Sequence, residues 1–198
     1  MKKRSAGNAR IRNIHFKQIL INKIHILTLS INISGQCLQE SNFVEKLDLL
    51  LRQHANLPPE KLELEILENS ALENISNAGD IIKRCRKMGV GFALDDFGTG
   101  HSSLSRLQQL PIQGIKIDQS FIRDMESDNS SASLVMAIVR LAHSLGIKVI
   151  AEGVETRQQT EHLDRLSCDE VQGYYFGKPM SAENFTTLIK AEVLPDSV

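Results

Sequence analysis

Four short segments of this chain alternate apolar and polar residues with period two, and helix-like stretches stand between them. They are Leu27 to Ser34 (L-T-L-S-I-N-I-S), Leu62 to Glu68 (L-E-L-E-I-L-E), Gly114 to Asp118 (G-I-K-I-D) and Lys148 to Val154 (K-V-I-A-E-G-V). Period two places successive side chains on opposite faces of a strand. In each segment the polar residues near the C-terminal end share one face: Asn32, Glu65, Lys116 and Glu152. Strands alternating with helices imply parallel pairing through crossover helices, in a doubly wound sheet or in a barrel. A doubly wound sheet is covered by helices on both faces, so its strands read as almost wholly apolar. A face that keeps its polar residues suits a TIM-like (β/α) barrel instead, where outward positions pack on helices and inward positions at the C-terminal rim line the active site. A half-solvated antiparallel sheet would need hairpin turns, which the intervening helices exclude.

Local signals fill in the rest. Phe43 to His54 reads as a helix stopped by Pro58-Pro59, and Ser70 with Glu73 predicts a capping box for a helix running to Met88, with Gly89 as its C-cap. A strand follows from Gly91, then a short helix around Leu104 to Leu110. A helix over Ser131 to Leu145 closes on Gly146, and Thr156 with Gln159 predicts a second capping box for a helix ending near Ser167. V-Q-G-Y-Y-F-G supplies a sixth strand-like segment before a last helix from Ser181. Six strands in 198 residues fall short of the eight strands and roughly 250 residues of such barrels. The expected organisation is a basic, poorly patterned segment over 1–26 and a partial barrel domain over 27–198, incomplete at its N-terminal side.

Composition narrows the class. A hydrophobic content of 41% supports an ordinary core. The longest apolar run, Leu134 to Ile150, is cut by Arg140, His143 and Lys148, so no membrane span is expected. Cys37, Cys85 and Cys168 lie far apart and outside any C-x-x-C spacing. They fit neither a zinc site nor a disulfide framework, and read as idle thiols of a cytoplasmic protein. Residues 1–39 hold seven basic residues and no acidic one, but Phe16 is their single aromatic. Stacking on bases has no support there, so no nucleic-acid polymer is expected as a partner.

The chemistry concentrates in Gly91 to Ser103, G-F-A-L-D-D-F-G-T-G-H-S-S, where a short apolar strand delivers Asp95 and Asp96 to its tip. Alone, an Asp pair before a Gly-x-Gly loop reads first as a turn. Across consecutive strand ends, however, Asn32, Glu65, Asp95, Asp96, Lys116, Asp118, Glu152, Glu155 and Gln172 converge on one rim. Carboxylates and an amide oxygen, without Cys or a His pair, suit Mg²⁺ or Mn²⁺ rather than zinc. Two such ions on an acidic rim are a means of cleaving phosphodiesters. A lyase using Lys116 as a Schiff base would need an apolar pocket to depress that lysine, and a ring of carboxylates does the opposite.

These motifs resemble the EAL-domain family of bacterial cyclic di-GMP phosphodiesterases. The resemblance runs from about Leu27 to about Leu188 and rests on I-N-I-S (31–34), E-I-L-E (65–68), D-D-F-G-T-G-H-S-S-L (95–104), K-I-D (116–118), E-G-V-E (152–155) and Q-G-Y (172–174). It implies a barrel that uses Mg²⁺ or Mn²⁺, two ions in the family, to hydrolyse one phosphodiester of cyclic di-GMP to pGpG. Matched position by position, it implies Asn32, Glu65, Asp95 and Asp96 as metal ligands. Lys116, Glu152 and Glu155 are the implied catalytic residues, and Asp118 and Gln172 line the substrate site. Glu68 matches the glutamate anchoring the loop Phe97 to Ser103, which shapes metal binding and homodimer contacts in the family.

Three departures bear on activity. The E-A-L tripeptide, which supplies a further metal-ligating glutamate, is absent, and residues 1–26 contain no Glu. Leu67 stands where the family has Thr, and His101 where it has Tyr; His101 reads as a solvated substitution rather than a ligand. The expectation is an impaired phosphodiesterase, with one ion held weakly. The alternative is a degenerate module that binds cyclic di-GMP or a protein partner without cleavage.

Overall fold

The computed structural model describes residues 28–73, 75–100 and 104–193. The expected segment 1–26 lies outside the described residues. Six strands form one parallel sheet: β1 (Leu29–Ile33), β2 (Leu62–Leu67), β3 (Gly91–Phe97), β4 (Gly114–Ile117), β5 (Lys148–Ala151) and β6 (Glu170–Val171). Their order across the sheet is their order in the chain. A doubly wound sheet reverses its strand order at a switch point. This one never does, so every crossover steps one strand the same way, as in a barrel. The result is an incomplete barrel, and among the described residues β1 and β6 have one sheet neighbour each.

The two faces of the sheet divide as the alternation requires. Leu62, Leu64, Ile66, Phe92, Leu94, Ile115, Ile117, Val149 and Ala151 are all buried and form the helix-facing layer. The other face carries Glu63, Glu65, Ala93, Gly114, Lys116 and Lys148. Lys148 reaches from β5 to Glu63 on β2, Nζ to Oε2 3.4 Å, and to Glu170 Oε1 at 3.1 Å. Strands β2 and β5 are three spacings apart, roughly 14 Å across a flat sheet whose side chains stand perpendicular to it. The ion pair closes because the sheet curls. Gly114 lets it: a Cβ there would sit 3.2 Å from Lys148 Cε and 3.3 Å from Ala93 Cβ.

Nine helices are described: α1 (Gly35–Leu38), α2 (Phe43–Gln53), α3 (Glu68–Glu73), α4 (Ile75–Lys87), α5 (Leu104–Leu107), α6 (Gln119–Asp124), α7 (Asn129–Ser144), α8 (Arg157–Arg165) and α9 (Ala182–Val193). In α4, Ala78, Ile81, Ile82 and Cys85 are buried, and in α7, Val135, Ile138, Val139 and Ala142. Both sets follow the i, i+3, i+4, i+7 stripe of a helix laid on a core. Burial pushes the Cys85 and Cys168 thiols up to about 11, so both stay protonated and unreactive near neutrality. Thr28–Lys178 is one compact unit holding the whole sheet, and α9 belongs to a second. Among the described residues no helix is long and apolar enough to cross a membrane.

The helix after β2 departs from expectation. It begins at Glu68, directly at the strand end, so Ser70 lies inside its first turn and is not the N-cap. Glu68, at the turn, is taken up by a contact distant in sequence: it is 2% exposed and its Oε2 accepts the Gly98 N–H at 3.0 Å. The capping box at Thr156 is present as expected, with both reciprocal bonds formed. A further helix, α6, was not anticipated; Asp118 caps it, its side chain accepting the Ser120 N–H at 2.9 Å.

Candidate active site

The rim takes its shape from an irregularity. β3 and β4 hold register to Leu94↔Ile115 and resume at Phe97↔Ile117, so Asp95 and Asp96 together oppose the single residue Lys116. Two residues against one is a β-bulge. In a regular strand the adjacent carboxylates would face opposite sides of the sheet. Here Asp96 takes φ 54°, the left-handed region that Asp enters more readily than most residues, and both carboxylates come to the rim. Oxygens of Asp95, Asp96 and Glu152 all lie within 4.8 Å of one another.

Lys116 stands at the centre of this group. Its Nζ is 2.5 Å from Glu152 Oε1, 2.8 Å from Glu65 Oε2 and 3.5 Å from Asp95 Oδ1, and the residue is 4% exposed. Burial alone would lower its pKa, but the hydrogen bonds to Glu152 and Glu65, and their charges, hold it above the usual lysine range. Its surroundings favour the ammonium and are not the apolar pocket that a Schiff-base lysine needs. Burial raises the Glu152 carboxyl above its ordinary value, in spite of the Lys116 hydrogen bond. Asp96 is raised by burial and then by the neighbouring charges of Asp95 and Asp118. Crowded carboxylates of this kind are neutralised by a bound cation, which reverses the local titration logic. Three hard oxygen donors without His or Cys fit a divalent ion of the Mg²⁺ or Mn²⁺ type.

The remaining residues singled out in the sequence are distributed around this centre. Glu65 is buried and engaged by Lys116, while Asn32 lies beside it in register on β1, exposed. Asp118, half-buried, caps α6 and is close enough to Asp96 to raise it. Glu155 and Gln172 are exposed; the Gln172 carbonyl accepts the Val154 N–H at 3.0 Å. Glu68 holds Gly98 as described, which places the start of the loop after Asp96. His101 and the end of that loop, with the expected dimer contact, lie outside the described residues.

Sequence reasoning did not find the bulge, nor the reach of Gln159. The capping-box spacing identified Gln159 as a helix cap, but its amide also donates to the Ile122 carbonyl at 3.2 Å, a contact of 37 residues' separation that no local pattern announces.

Several known proteins resemble this chain in sequence and fold. The family profile described as EAL domain matches residues 5–179. The signaling protein YkoW of Bacillus subtilis is 37% identical over 163 residues, 82% of this chain and 20% of that protein. The bifunctional diguanylate cyclase/cyclic di-GMP phosphodiesterase MucR of Pseudomonas aeruginosa is 40% identical over 155 residues, 78% of this chain and 22% of that protein. The chain thus spans about a fifth of the length of these relatives. Among solved structures, the MucR phosphodiesterase in complex with c-di-GMP superposes with a TM-score of 0.81 at 37% identity, covering 86% of this chain and 69% of that one. The EAL domain of Mycobacterium smegmatis DcpA gives 0.78 at 34% identity, covering 85% and 75%.

Proposed function

The chain belongs to the EAL-domain family, and on that premise we propose that it is the barrel portion of a metal-dependent phosphodiesterase that hydrolyses cyclic di-GMP to linear pGpG. The observation that carries the reading is the convergence of Asp95, Asp96 and Glu152 within 4.8 Å, beside a lysine held in its charged form. Asp95 and Asp96, with Glu152 and the donors Glu65 and Asn32 read from the sequence, would hold Mg²⁺ or Mn²⁺. The bound ion supplies Lewis-acid stabilisation of phosphoryl oxygens and makes a nearby water more acidic.

The chain's own residues do the rest. Lys116 offsets negative charge beside the reacting phosphate without giving up its proton. Glu152, within 2.5 Å of that ammonium, takes the proton of the attacking water, with Glu155 on the same loop. The water oxygen bonds to phosphorus, the P–O3′ bond breaks, and the 3′ oxygen takes up a proton from solvent to leave as a hydroxyl, while Glu152 returns its proton to bulk water. Asp118 and Gln172 line the nucleotide's approach, and Glu68 keeps the loop after Asp96 in place. A homodimer contact through that loop belongs to the same proposal.

One observation favours a second reading for the 198-residue polypeptide: its sequence contains no E-A-L. Two-metal cleavage needs both ions in place, and misplacement of about 1 Å can cost on the order of 100-fold in rate. Taken alone, this polypeptide is expected to bind cyclic di-GMP and turn it over very slowly or not at all. Incubation with cyclic di-GMP and Mn²⁺, following pGpG by chromatography, tests both readings. Robust turnover that disappears in Glu152→Gln would establish the hydrolase and discard the binding module. Neither binding nor turnover would remove both.

A further inference from the structure

Glu152 and Glu155 sit on the short loop between β5 and α8, and a reactive carboxylate is useful only if that loop is held. Its attachments are few and specific. Val154 N–H donates to the Gln172 carbonyl at 3.0 Å, and the Val154 carbonyl accepts the Tyr175 N–H at 3.0 Å. These tie the loop to the β6 side. On the β4 side, the Glu152 N–H donates to the Ile117 carbonyl at 3.2 Å, and beyond it Gly153 lies at φ 72°, where a Cβ would fall 2.5 Å from Gln119 Cβ, so the loop backbone rests against the first residue of α6.

Gln159 completes the β4 side. It is 4% exposed. Its Oε1 accepts the backbone N–H groups of Glu155 at 2.8 Å and Thr156 at 3.1 Å, and its Nε2 donates to the Ile122 carbonyl in α6. A capping box needs only the bond to the N-cap N–H. The other two bonds do something else: they join the loop carrying Glu152 and Glu155 to the helix opened by Asp118. Asp118 follows Lys116 by two residues on the same strand end. Gln159 therefore bridges the acid-bearing tips of β4 and β5 through backbone groups of Glu155, Thr156 and Ile122, without contacting a carboxylate of the rim.

We propose that Gln159 is a positioning residue that fixes Glu152 and Glu155 against Lys116 and Asp118 by clamping the β5 loop onto α6. The proposal rests on the reading of the rim as a metal and phosphodiester site, and predicts what a plain helix cap does not. Gln159→Glu separates the two roles, because a carboxylate still accepts from Glu155 and Thr156 but cannot donate to the Ile122 carbonyl. Outer partners of metal ligands typically contribute about 10–100-fold in metal affinity.

The test uses the full 198-residue chain as wild type, Gln159→Glu, Gln159→Met and Thr156→Ala. Mn²⁺ affinity is measured by calorimetry, thermal stability by circular dichroism, and amide shifts by NMR. Gln159→Glu is expected to weaken Mn²⁺ binding about 10-fold or more, and to move the amide resonances of residues 152–155 and 119–124 together. Gln159→Met, which loses all three bonds at similar volume, gives the same pattern if Gln159→Glu does not fold. Thr156→Ala, which removes the cap bond to the Gln159 N–H and the bond to Glu126 but none of the three Gln159 side-chain bonds, lowers the melting temperature and leaves Mn²⁺ affinity unchanged. Wild-type Mn²⁺ affinity in both Gln159 variants, or shifts confined to α8, would overturn the proposal. A wild-type chain that binds no Mn²⁺ refutes the metal reading instead, and the NMR shifts then decide the clamp alone.

Discussion

Replacing Lys116 by Met removes one buried ammonium and leaves Glu65, Asp95 and Glu152 facing one another. The lysine is 4% exposed, Glu65 5%, and the ammonium lies within 3.5 Å of all three carboxylates. Breaking a buried ion pair by deleting one partner costs about 3–5 kcal/mol, because the remaining charge has no compensation. For a domain of this size about 1 kcal/mol shifts the melting temperature by roughly 2–4 °C. The metal-free variant should therefore melt roughly 6–20 °C below wild type. A divalent cation bound by Asp95, Asp96 and Glu152 supplies the positive charge the variant lacks. Ligand present at 100 times its dissociation constant adds about 2.7 kcal/mol to the native state, so Mn²⁺ should restore a large share of the loss. Thermal unfolding followed by circular dichroism in EDTA and then in excess Mn²⁺ gives both numbers. A Lys116→Met chain as stable as wild type in EDTA, or one that Mn²⁺ does not raise, would refute the charge-balance reasoning for this rim.

Asp95→Asn removes a charged donor from the group of three, and calorimetry should show Mn²⁺ affinity at least about 10-fold lower; an isotherm like the wild type's would sink the ligand assignment. Gly153→Ala forces a side chain into a left-handed backbone position already in contact with Gln119, and should lower stability by about 1–3 kcal/mol in urea unfolding. Asp169 accepts hydrogen bonds from His143 Nε2 at 2.9 Å and from the Val149 N–H at 2.7 Å. Its carboxyl is held below the ordinary carboxylate value: burial would raise it, but these bonds outweigh that. A depressed carboxylate stabilises the fold above its unfolded pKa of about 3.9 and loses that contribution as pH falls through the folded value. Asp169→Asn should thus melt lower than wild type at pH 7, with the gap closing on acidification below about pH 4; a gap independent of pH would count against the carboxylate's role.

Much of the barrel was legible because period-two strands with one polar face can bury only their other face against helices. Leu62, Leu64 and Ile66 against Glu63 and Glu65 state that division outright, and the helix-facing residues are buried as the pattern requires. The internal pair of Glu63 with Lys148 was not legible. Alternation says that Glu63 shares a face with Glu65, but only the curl of the sheet says that β5 comes round to meet β2. The helix α6 escaped for a different reason. Asp118 reads equally as a rim carboxylate and as an N-cap, and in the structure it caps the helix while lying near Asp96.

The Asp95-Asp96 pair shows where sequence periodicity reaches its limit. Two adjacent acids on a strand belong to opposite faces under the same rule that identified the strand, so the period-two argument by itself separates the carboxylates it was used to bring together. What reconciles them is a single extra residue opposite Lys116, and the energetic sense of that bulge lies in its partner. Without the ammonium at 3.5 Å from Asp95, two carboxylates turned to one side would repel at the cost of the backbone strain that turns them. With it, and with a divalent ion available to the group, the left-handed Asp96 is the conformation that lets both oxygens serve one centre. The bulge, Lys116 and the acids are thus one device, and changing any one of them should be felt by the others: the effects of Lys116→Met and Asp95→Asn on Mn²⁺ affinity and on stability should be strongly non-additive in the double variant, as expected for residues in direct contact.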